Sequence, residues 1–367
     1  MERYRKNVYC DWEFLESLMS KLGDYPNLDN SFLGNNEVAI CIKELLLSSD
    51  VKLYLNVSEA FYDSFLSEID KKCQKGSELQ LSAFEKLVYD INFKQQNNEL
   101  HLHYNESKVH FNDSILEDKY LNSIFFSSES KEICNKAMEE YGIIVINIEN
   151  MNDFTQHVYD QGVALQKKEE NSWKICLDMQ NLTPCNSLVV VDNYILNDTN
   201  SIDENLANLF DIFIPTQLNK SISFHLAIFT TLCNDRGIPF NSKMRLEKIY
   251  DILSKIRPGL NFSLSIIKCS KDKFHDRIII TNNLYISCGG GFDLFKKGKS
   301  QKTTTVSFFN PFFNFHTKWS RKAYSNILND TATVFNNTSL FDESKMNDSF
   351  PCFVVGEKQN RLLSQST

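Results

Sequence analysis

Two features that would place the chain in a membrane or secreted class are missing from its sequence. No stretch of about 18 apolar residues occurs, so we expect no helix that spans a membrane. The first residues are polar and acidic and lack an apolar segment, so we expect no secretory signal. Together these absences predict a cytoplasmic protein.

The ten cysteines lack the spacing that metal sites and disulfide frameworks require. They are scattered along the chain, and no two of them form a Cys-x-x-Cys pair. Structural zinc sites need clustered ligands, and disulfide frameworks are typical of short secreted chains. We therefore expect reduced and mostly buried thiols, as at Cys41 and Cys288, which lie inside apolar runs.

The composition itself is typical of a folded protein with more than one domain. The chain has 367 residues, of which 42% are hydrophobic and 23% are charged. That length is long for one domain and comfortable for two. The formal net charge of −8 argues against a surface that is basic throughout, but it is compatible with a local basic patch.

Residues 1–180 alternate between helical and strand patterns, which predicts a small α/β domain. Strict alternation at 51–57 indicates a strand, and apolar residues at steps of four in 61–73 indicate a helix. The pattern weakens after residue 149, where we predict one short strand at 173–177. The first 35 residues predict only a helix and a loop.

His101 and His103 lie two residues apart on a predicted strand at 100–104. Side chains at this spacing point to the same face of a strand and could share a metal ion, for which His110 is a candidate third ligand. The alternative, which we favour, is that both histidines face solvent at the edge of a sheet.

Residues 185–300 predict a mixed sheet flanked by helices. Strands and helices alternate up to residue 268, and two further strands follow close together. Residues 301–367 are rich in Phe and Asn, and we predict a mostly irregular extension there. Its phenylalanine cluster at 308–315 is more typical of core packing or a subunit interface than of base stacking.

The stretch 274–295 contains the most distinctive residues of the second half. His275, Asp276 and Arg277 precede a β-branched strand, and three glycines at 289–291 follow a second apolar strand. Glycines allow the backbone to approach a ligand closely. The stretch therefore indicates either a phosphate site or an ordinary hairpin with polar ends.

This stretch resembles the phospholipase D superfamily, in the degenerate branch found at the C-terminus of MIT-domain proteins and in their bacterial relatives. The family motif is His-x-Lys, four residues, Asp, six residues, and then Gly with a small residue and a later Asn. The corresponding residues here are His275, Arg277, Asn282, Gly289, Gly290 and Asp293. Asp192 and Tyr194 match an Asp-x-Tyr that this branch carries after an early strand. The resemblance covers about residues 185–298.

The resemblance implies phosphodiester chemistry without a metal or another cofactor. In the family, one histidine attacks phosphorus, a second protonates the leaving oxygen, and Lys and Asn hold the phosphate oxygens. The implied roles are catalysis for His275, phosphate binding for Arg277, Asn282, Gly289, Gly290, Lys296 and Lys297, and support from Asp192, Tyr194, Asp276 and Asp293.

The chain departs from the family pattern at positions that affect catalysis. Two motif copies meet at one family active site, but only His275 has this context here, because His225 has no Lys or Arg two residues later. Asn282 replaces an Asp, and Asp293 places a negative charge where a phosphate oxygen would rest. An enzyme of this kind would therefore have to be a dimer, unless an unrelated group supplies the second half of the site.

Three interpretations remain open. The first is a binding or effector subunit of a larger assembly that engages a phosphodiester ligand such as nucleic acid; that branch of the family suggests a bacterial anti-phage setting. The second is a dimeric nuclease or phosphodiesterase that uses His275. The third is a structural partner protein in which Arg277 forms an ion pair with Asp276 or Asp293. Lys296, Lys297, Lys299 and Lys302 either extend a polyanion surface or are simply solvated.

Overall fold

The computed structural model describes most of the chain. The described residues are 4–22, 37–74, 81–111, 115–158, 161–178, 182–183, 185–197, 202–231, 241–270, 273–274, 276–313, 317–341 and 352–364. The protein is mixed α/β, with two large sheets and helices packed against them. Within the described residues, none of the helices combines the length and apolar character that a membrane crossing demands.

The first sheet consists of five parallel strands in the order β3-β2-β1-β4-β5. Its strands are β1 (Lys6–Cys10), β2 (Val51–Leu55), β3 (His101–Tyr104), β4 (Ser123–Phe126) and β5 (Ile144–Ile146). Its helices are α1 (Trp12–Leu22), α2 (Glu37–Leu46), α3 (Glu59–Gln74), α4 (Ala83–Gln96) and α5 (Lys131–Tyr141). Burial alternates along β1 and β2, so only one face of these two strands is fully covered.

The second sheet has eight strands in the order β15-β9-β8-β7-β10-β11-β14-β6. Its elements are β6 (Gln161–Leu165), α6 (Trp173–Asp178), β7 (Ser187–Val191), α7 (Ala207–Phe213), β8 (Phe224–Thr230), α8 (Ser242–Ile256), β9 (Phe262–Lys268), β10 (Ile278–Thr281), β11 (Tyr285–Cys288), β14 (Thr304–Phe309) and β15 (Phe353–Gly356). The small hairpin of β12 (Phe295–Lys296) and β13 (Lys299–Ser300) precedes β14, and helix α9 (Thr317–Asn337) follows it. Strands β7, β8 and β9 are parallel, and every residue of β7 and β8 is buried.

The predicted fold class is confirmed, but several elements differ from the sequence-based predictions. The central strand β1 was not predicted, and the strand predicted at 173–177 is helix α6, because a short apolar run does not distinguish the two. The second sheet also extends beyond 185–300, since it includes β6, β14 and β15. The predicted irregular extension contains the 21-residue helix α9.

A buried polar cluster joins the amino-terminal edges of the two sheets. Asn282, which follows β10, donates from Nδ2 to Gly142 O at 2.8 Å and accepts from Asn186 N at 3.2 Å. Its carbonyl accepts a hydrogen bond from Nζ of Lys6 on β1, which also donates to Asn122 Oδ1 at 2.8 Å. Because these groups are buried and paired, they fix the position of one sheet relative to the other.

Candidate functional site

The antiparallel pairing of β10 with β7 and β11 brings three segments of the motif together. They lie at the same ends of these central strands, which form one edge of the second sheet. Asp192 directly follows β7, Arg277 directly precedes β10, and the glycine turn (residues 289–291) directly follows β11. In this way, segments that are distant in sequence meet at the ends of neighbouring strands. The candidate site is built around these three segments.

Asp192 connects strand β7 to the glycine turn. Its buried carboxylate accepts from Phe292 N at 2.6 Å through Oδ2 and from Tyr194 N at 2.8 Å through Oδ1. Burial raises the pKa of Asp192, whereas these two N–H groups and the charges of Arg277 and Lys302 act in the opposite direction. Asp192 therefore orders the backbone on which the other site residues lie.

The glycine turn needs its third glycine because Asp192 and Arg277 approach it closely. Gly291 has φ +87°, and a Cβ atom there would lie 3.0 Å from Asp192 Oδ2 and 3.3 Å from Arg277 Cδ. A side chain at this position would therefore be strained in backbone angle and would displace both neighbours. The turn is shaped by its contacts with the charged residues beside it.

Arg277 is half-buried and only part of its guanidinium is hydrogen-bonded. Nη1 donates to Gly289 O at 3.2 Å, and the guanidinium carbon lies 5.8 Å from the centre of the Tyr194 ring. The buried Nε has no hydrogen-bond acceptor among the described residues. Stacking on an aromatic ring and a fork of donors are the properties with which arginine binds phosphate.

A second cation, Lys302, also contacts the glycine turn. Its exposed side chain donates from Nζ to Gly290 O at 2.7 Å. Gly290 N donates in turn to Oγ1 of Thr304 at 2.8 Å. Thr304 was not predicted as part of the site, because a threonine at the start of a strand carries no distinctive sequence signal. Lys302 and Arg277 thus contact adjacent carbonyl groups of the same turn.

Asp293 adds a negative charge to this cationic edge. Its side chain is half-buried, and burial together with the neighbouring Asp192 carboxylate raises the pKa of Asp293 to about 6. Lys302 and Arg277 act in the opposite direction. The edge therefore brings the carboxyl groups of Asp192 and Asp293 close to the two cations, Arg277 and Lys302.

The remaining motif residues lie in different surroundings. Asn282 is at the opposite end of β10 from Arg277 and belongs to the buried cluster between the sheets. Asp276 is exposed. Lys296 and Lys297 are exposed on the β12–β13 hairpin; there the N–H groups of Lys297 and Gly298 donate to the Glu204 carboxylate. His275, the predicted catalytic residue, lies outside the described residues.

The predicted histidine pair occupies the first sheet. His101 and His103 are on β3, which is an edge strand, and His103 is exposed. His110 is exposed and its Nδ1 lies 3.1 Å from Glu129 Oε1. Within the part of the chain that the structure describes, no group of three or more His, Cys, Asp or Glu side chains is placed to hold a metal ion.

The chain has little similarity to known proteins. No protein-family model and no curated protein matches the chain. One similar solved structure is that of TrmBL2, an archaeal chromatin protein described as showing a novel mode of DNA binding. The two chains are 12% identical with a TM-score of 0.24, and the match covers 50% of this chain and 58% of that chain. A likeness of this size carries no functional conclusion.

Proposed function

We propose that the protein binds a phosphodiester group of a nucleic acid at the edge formed by Arg277, Lys302 and the glycine turn, as a binding subunit of a larger assembly. The proposal depends on one observation: only some of the N–H donors of the Arg277 guanidinium are hydrogen-bonded. It is held over the Tyr194 ring and by Gly289 O, while its buried Nε has no acceptor among the described residues. Buried polar groups normally have partners, so a guanidinium with an unsatisfied donor beside a second cation can turn toward an anionic ligand.

Side chains, rather than backbone N–H groups, would supply the contacts to phosphate. The N–H of Gly290 is already bonded to Thr304, and the N–H of Gly291 to Cys288 O. The turn therefore differs from a phosphate-binding loop that wraps its ligand in free backbone donors. Arg277 and Lys302, which contact neighbouring carbonyls of the turn, are the groups that can reorient toward a phosphate.

Binding rather than hydrolysis is the better interpretation of this edge. Asp293 places a carboxylate beside Arg277 and Lys302, where it competes with a phosphate for both cations. Asn282 contributes to the junction of the sheets instead of to the edge. The dimeric enzyme that would use His275 remains a rival, and a direct turnover assay distinguishes the two.

The binding proposal is tested with labelled single- and double-stranded DNA and RNA in a fluorescence anisotropy titration at several salt concentrations. We expect Arg277→Ala to weaken binding about tenfold or more and to lower the salt slope by about 1, because one phosphate contact is lost. The affinity of Arg277→Lys should lie between those of the wild type and Arg277→Ala, because lysine keeps the charge but lacks the fork of donors.

A matched control is Lys255→Ala, because Lys255 is an exposed lysine on α8. It should bind as the wild type does, whereas Lys302→Ala should bind more weakly. The same samples are incubated with the nucleic acids without metal, and His275→Ala is compared with wild type. Unchanged binding by Arg277→Ala would contradict the proposal, and turnover that disappears in His275→Ala would support the enzyme instead.

A further inference from the structure

The first sheet carries a row of stacked rings across four neighbouring strands. The pairing of the strands places Phe125, Tyr9, Tyr54 and His103 side by side on one face. Successive ring centres are 5.2, 4.6 and 4.8 Å apart, and the rings are within 20° of parallel. The row is therefore a continuous stack rather than a set of isolated aromatic contacts.

The stack is open at one end. His103 lies on β3, the edge strand of the sheet, and its side chain is exposed. Tyr9 and Tyr54 are half-buried, whereas the residues of β1 and β2 that point to the opposite face are fully buried. Parallel sheets are usually covered on both faces, so an aromatic face that stays partly open indicates a ligand surface.

A polar row with cationic groups runs beside the rings. Asn7, Lys52 and His101 are paired across the same three strands and are all half-buried. Burial and the positive charges of Lys52 and His101 lower the pKa of His103, so its ring is largely neutral at pH 7. A neutral ring can stack on a base. Lys52, in the polar row beside the rings, supplies a positive charge for the adjacent phosphate.

Amide side chains lie where the rings reach the carboxyl ends of the strands. Asn56 follows β2 and Asn105 follows β3, and both lie with Tyr9 and Tyr54 at a narrow cleft that is too small for a base and that His103 does not line. Asn56 uses Oδ1 to accept from Trp12 N at 2.6 Å. Amides beside aromatic rings are the groups with which proteins bind the edges of unpaired bases. The carboxyl ends of parallel strands are also the usual position of ligands in such sheets.

We infer that this open face of β1, β2 and β3 is a second binding site, which takes single-stranded nucleic acid by stacking a base on His103 at the end of the row of rings. Lys52 contacts the adjacent phosphate, and Asn105, which follows β3 directly, contacts the base edge. Single strands expose the faces of their bases, which duplexes do not, so the site selects unpaired segments. The inference rests on the first sheet alone and does not depend on the site around Arg277.

The test compares His103→Ala and His103→Phe with the wild-type full chain in anisotropy titrations with single-stranded DNA and RNA. His103→Ala should weaken binding about tenfold, because one stacking partner is lost. His103→Phe should bind as the wild type does, because phenylalanine keeps an aromatic face. The matched control is Phe93→Ala, which removes an exposed ring from helix α4. That variant should bind within twofold of wild type.

Crosslinking provides a measurement that does not rely on a variant. Single strands that contain 4-thiouracil bases are irradiated with the wild-type protein, and the modified peptides are identified by mass spectrometry. Crosslinks at β2 or β3 that disappear in His103→Ala support the site. Whether DNA strands or RNA strands form these crosslinks shows which nucleic acid the site binds. Binding that is absent, unchanged in His103→Ala, or not restored by His103→Phe overturns the inference. An effect confined to Arg277→Ala would support the other site only.

Discussion

The two ends of strand β10 differ sharply, although both belong to the stretch that resembles one family motif. At the amino end, Arg277 is half-buried, lies among charged side chains, and has a buried Nε with no acceptor among the described residues. At the carboxyl end, Asn282 is fully buried, and its side chain donates one hydrogen bond and accepts another. One end has the properties of a binding surface, and the other has those of a structural junction.

This difference explains why an amide, rather than a carboxylate, occupies position 282. Its Nδ2 donates to Gly142 O, while its Oδ1 accepts from Asn186 N. An amide can donate and accept at once, whereas a carboxylate can only accept and would be costly to bury beside a carbonyl. The junction of the two sheets therefore requires an amide at position 282.

The largest effect should come from Gly142→Ala, which tests the junction. Gly142 has φ +60°, and a Cβ there would lie 2.5 Å from the carbonyl carbon and oxygen of Cys185. Backbone strain and a contact with rigid backbone should together lower the free energy of unfolding by about 3 to 4 kcal/mol. Urea denaturation followed by circular dichroism measures the loss.

Gly298→Ala is the matched control for this prediction. Gly298 has a similar φ of +67°, but a Cβ there would meet nothing within 4 Å. Only the backbone strain remains, so the expected loss is about 1 kcal/mol. If both variants lose the same free energy, close packing between the sheets at Gly142 does not stabilise the protein.

A smaller effect is expected from Asn282→Ala. The substitution leaves Gly142 O and Asn186 N without their partner in a buried cluster, which should cost about 2 to 3 kcal/mol. Nucleic-acid affinity should be unchanged once the fraction of folded protein is taken into account. The exposed Asn261, whose Nδ2 donates to Lys220 O, provides the control, and its alanine variant should change stability little.

Asn282→Asp replaces the amide with a carboxylate of similar size and tests whether position 282 belongs to the junction or to the binding site. It should destabilise the protein at least as much as alanine does, because a buried carboxylate would face Gly142 O. A variant that is stable and binds phosphodiesters more tightly would assign Asn282 to the binding site instead.

Much of the fold could be predicted from local patterns, but β1 could not. Its five residues include Lys6, and a lysine in a short run argues against a central strand. Lys6 is nonetheless fully buried, because Asn122 and the carbonyl of Asn282 accept its hydrogen bonds. Burial lowers the pKa of Lys6 well below its usual value. Those partners lie more than 100 residues away in sequence, so no local reading of the chain predicts them.

The proximity of the candidate site residues depends on strand pairing that the sequence alone did not specify. The resemblance implied Asp192, Arg277 and the glycine turn as site residues, and the pairing of β10 with β7 and β11 brings them to one edge. Their role in binding phosphate stays a prediction. The contributions of Thr304 and of Lys302 in particular depend on β14 lying beside β11. That pairing joins the sheet to residues that the sequence assigned to an irregular extension.

Apart from the control variants, the smallest stability effect is expected from Asp293→Asn, which tests the charged end of β10. Burial and Asp192 raise the pKa of Asp293 from 3.8 to about 6. The folded state therefore keeps this proton up to about pH 6, while the unfolded state releases it near pH 4. Stability consequently falls as pH rises between these values. Because solvent screens the half-buried side chain, we expect less than the full value of the shift: the variant should be more stable than wild type by about 1 to 2 kcal/mol above pH 7 and nearly equal to it at pH 4.

The same substitution should strengthen binding, because an uncharged amide no longer competes with phosphate for Arg277 and Lys302. Wild-type affinity should rise as the pH falls from 7.5 to 5.5, and Asp293→Asn should show less of this dependence. Asp276→Asn is the matched control, since Asp276 is exposed and adjacent to Arg277 in sequence. If Asp276→Asn strengthens binding as much as Asp293→Asn does, a general reduction of negative charge explains the gain, and Asp293 has no specific effect on the amino end of β10.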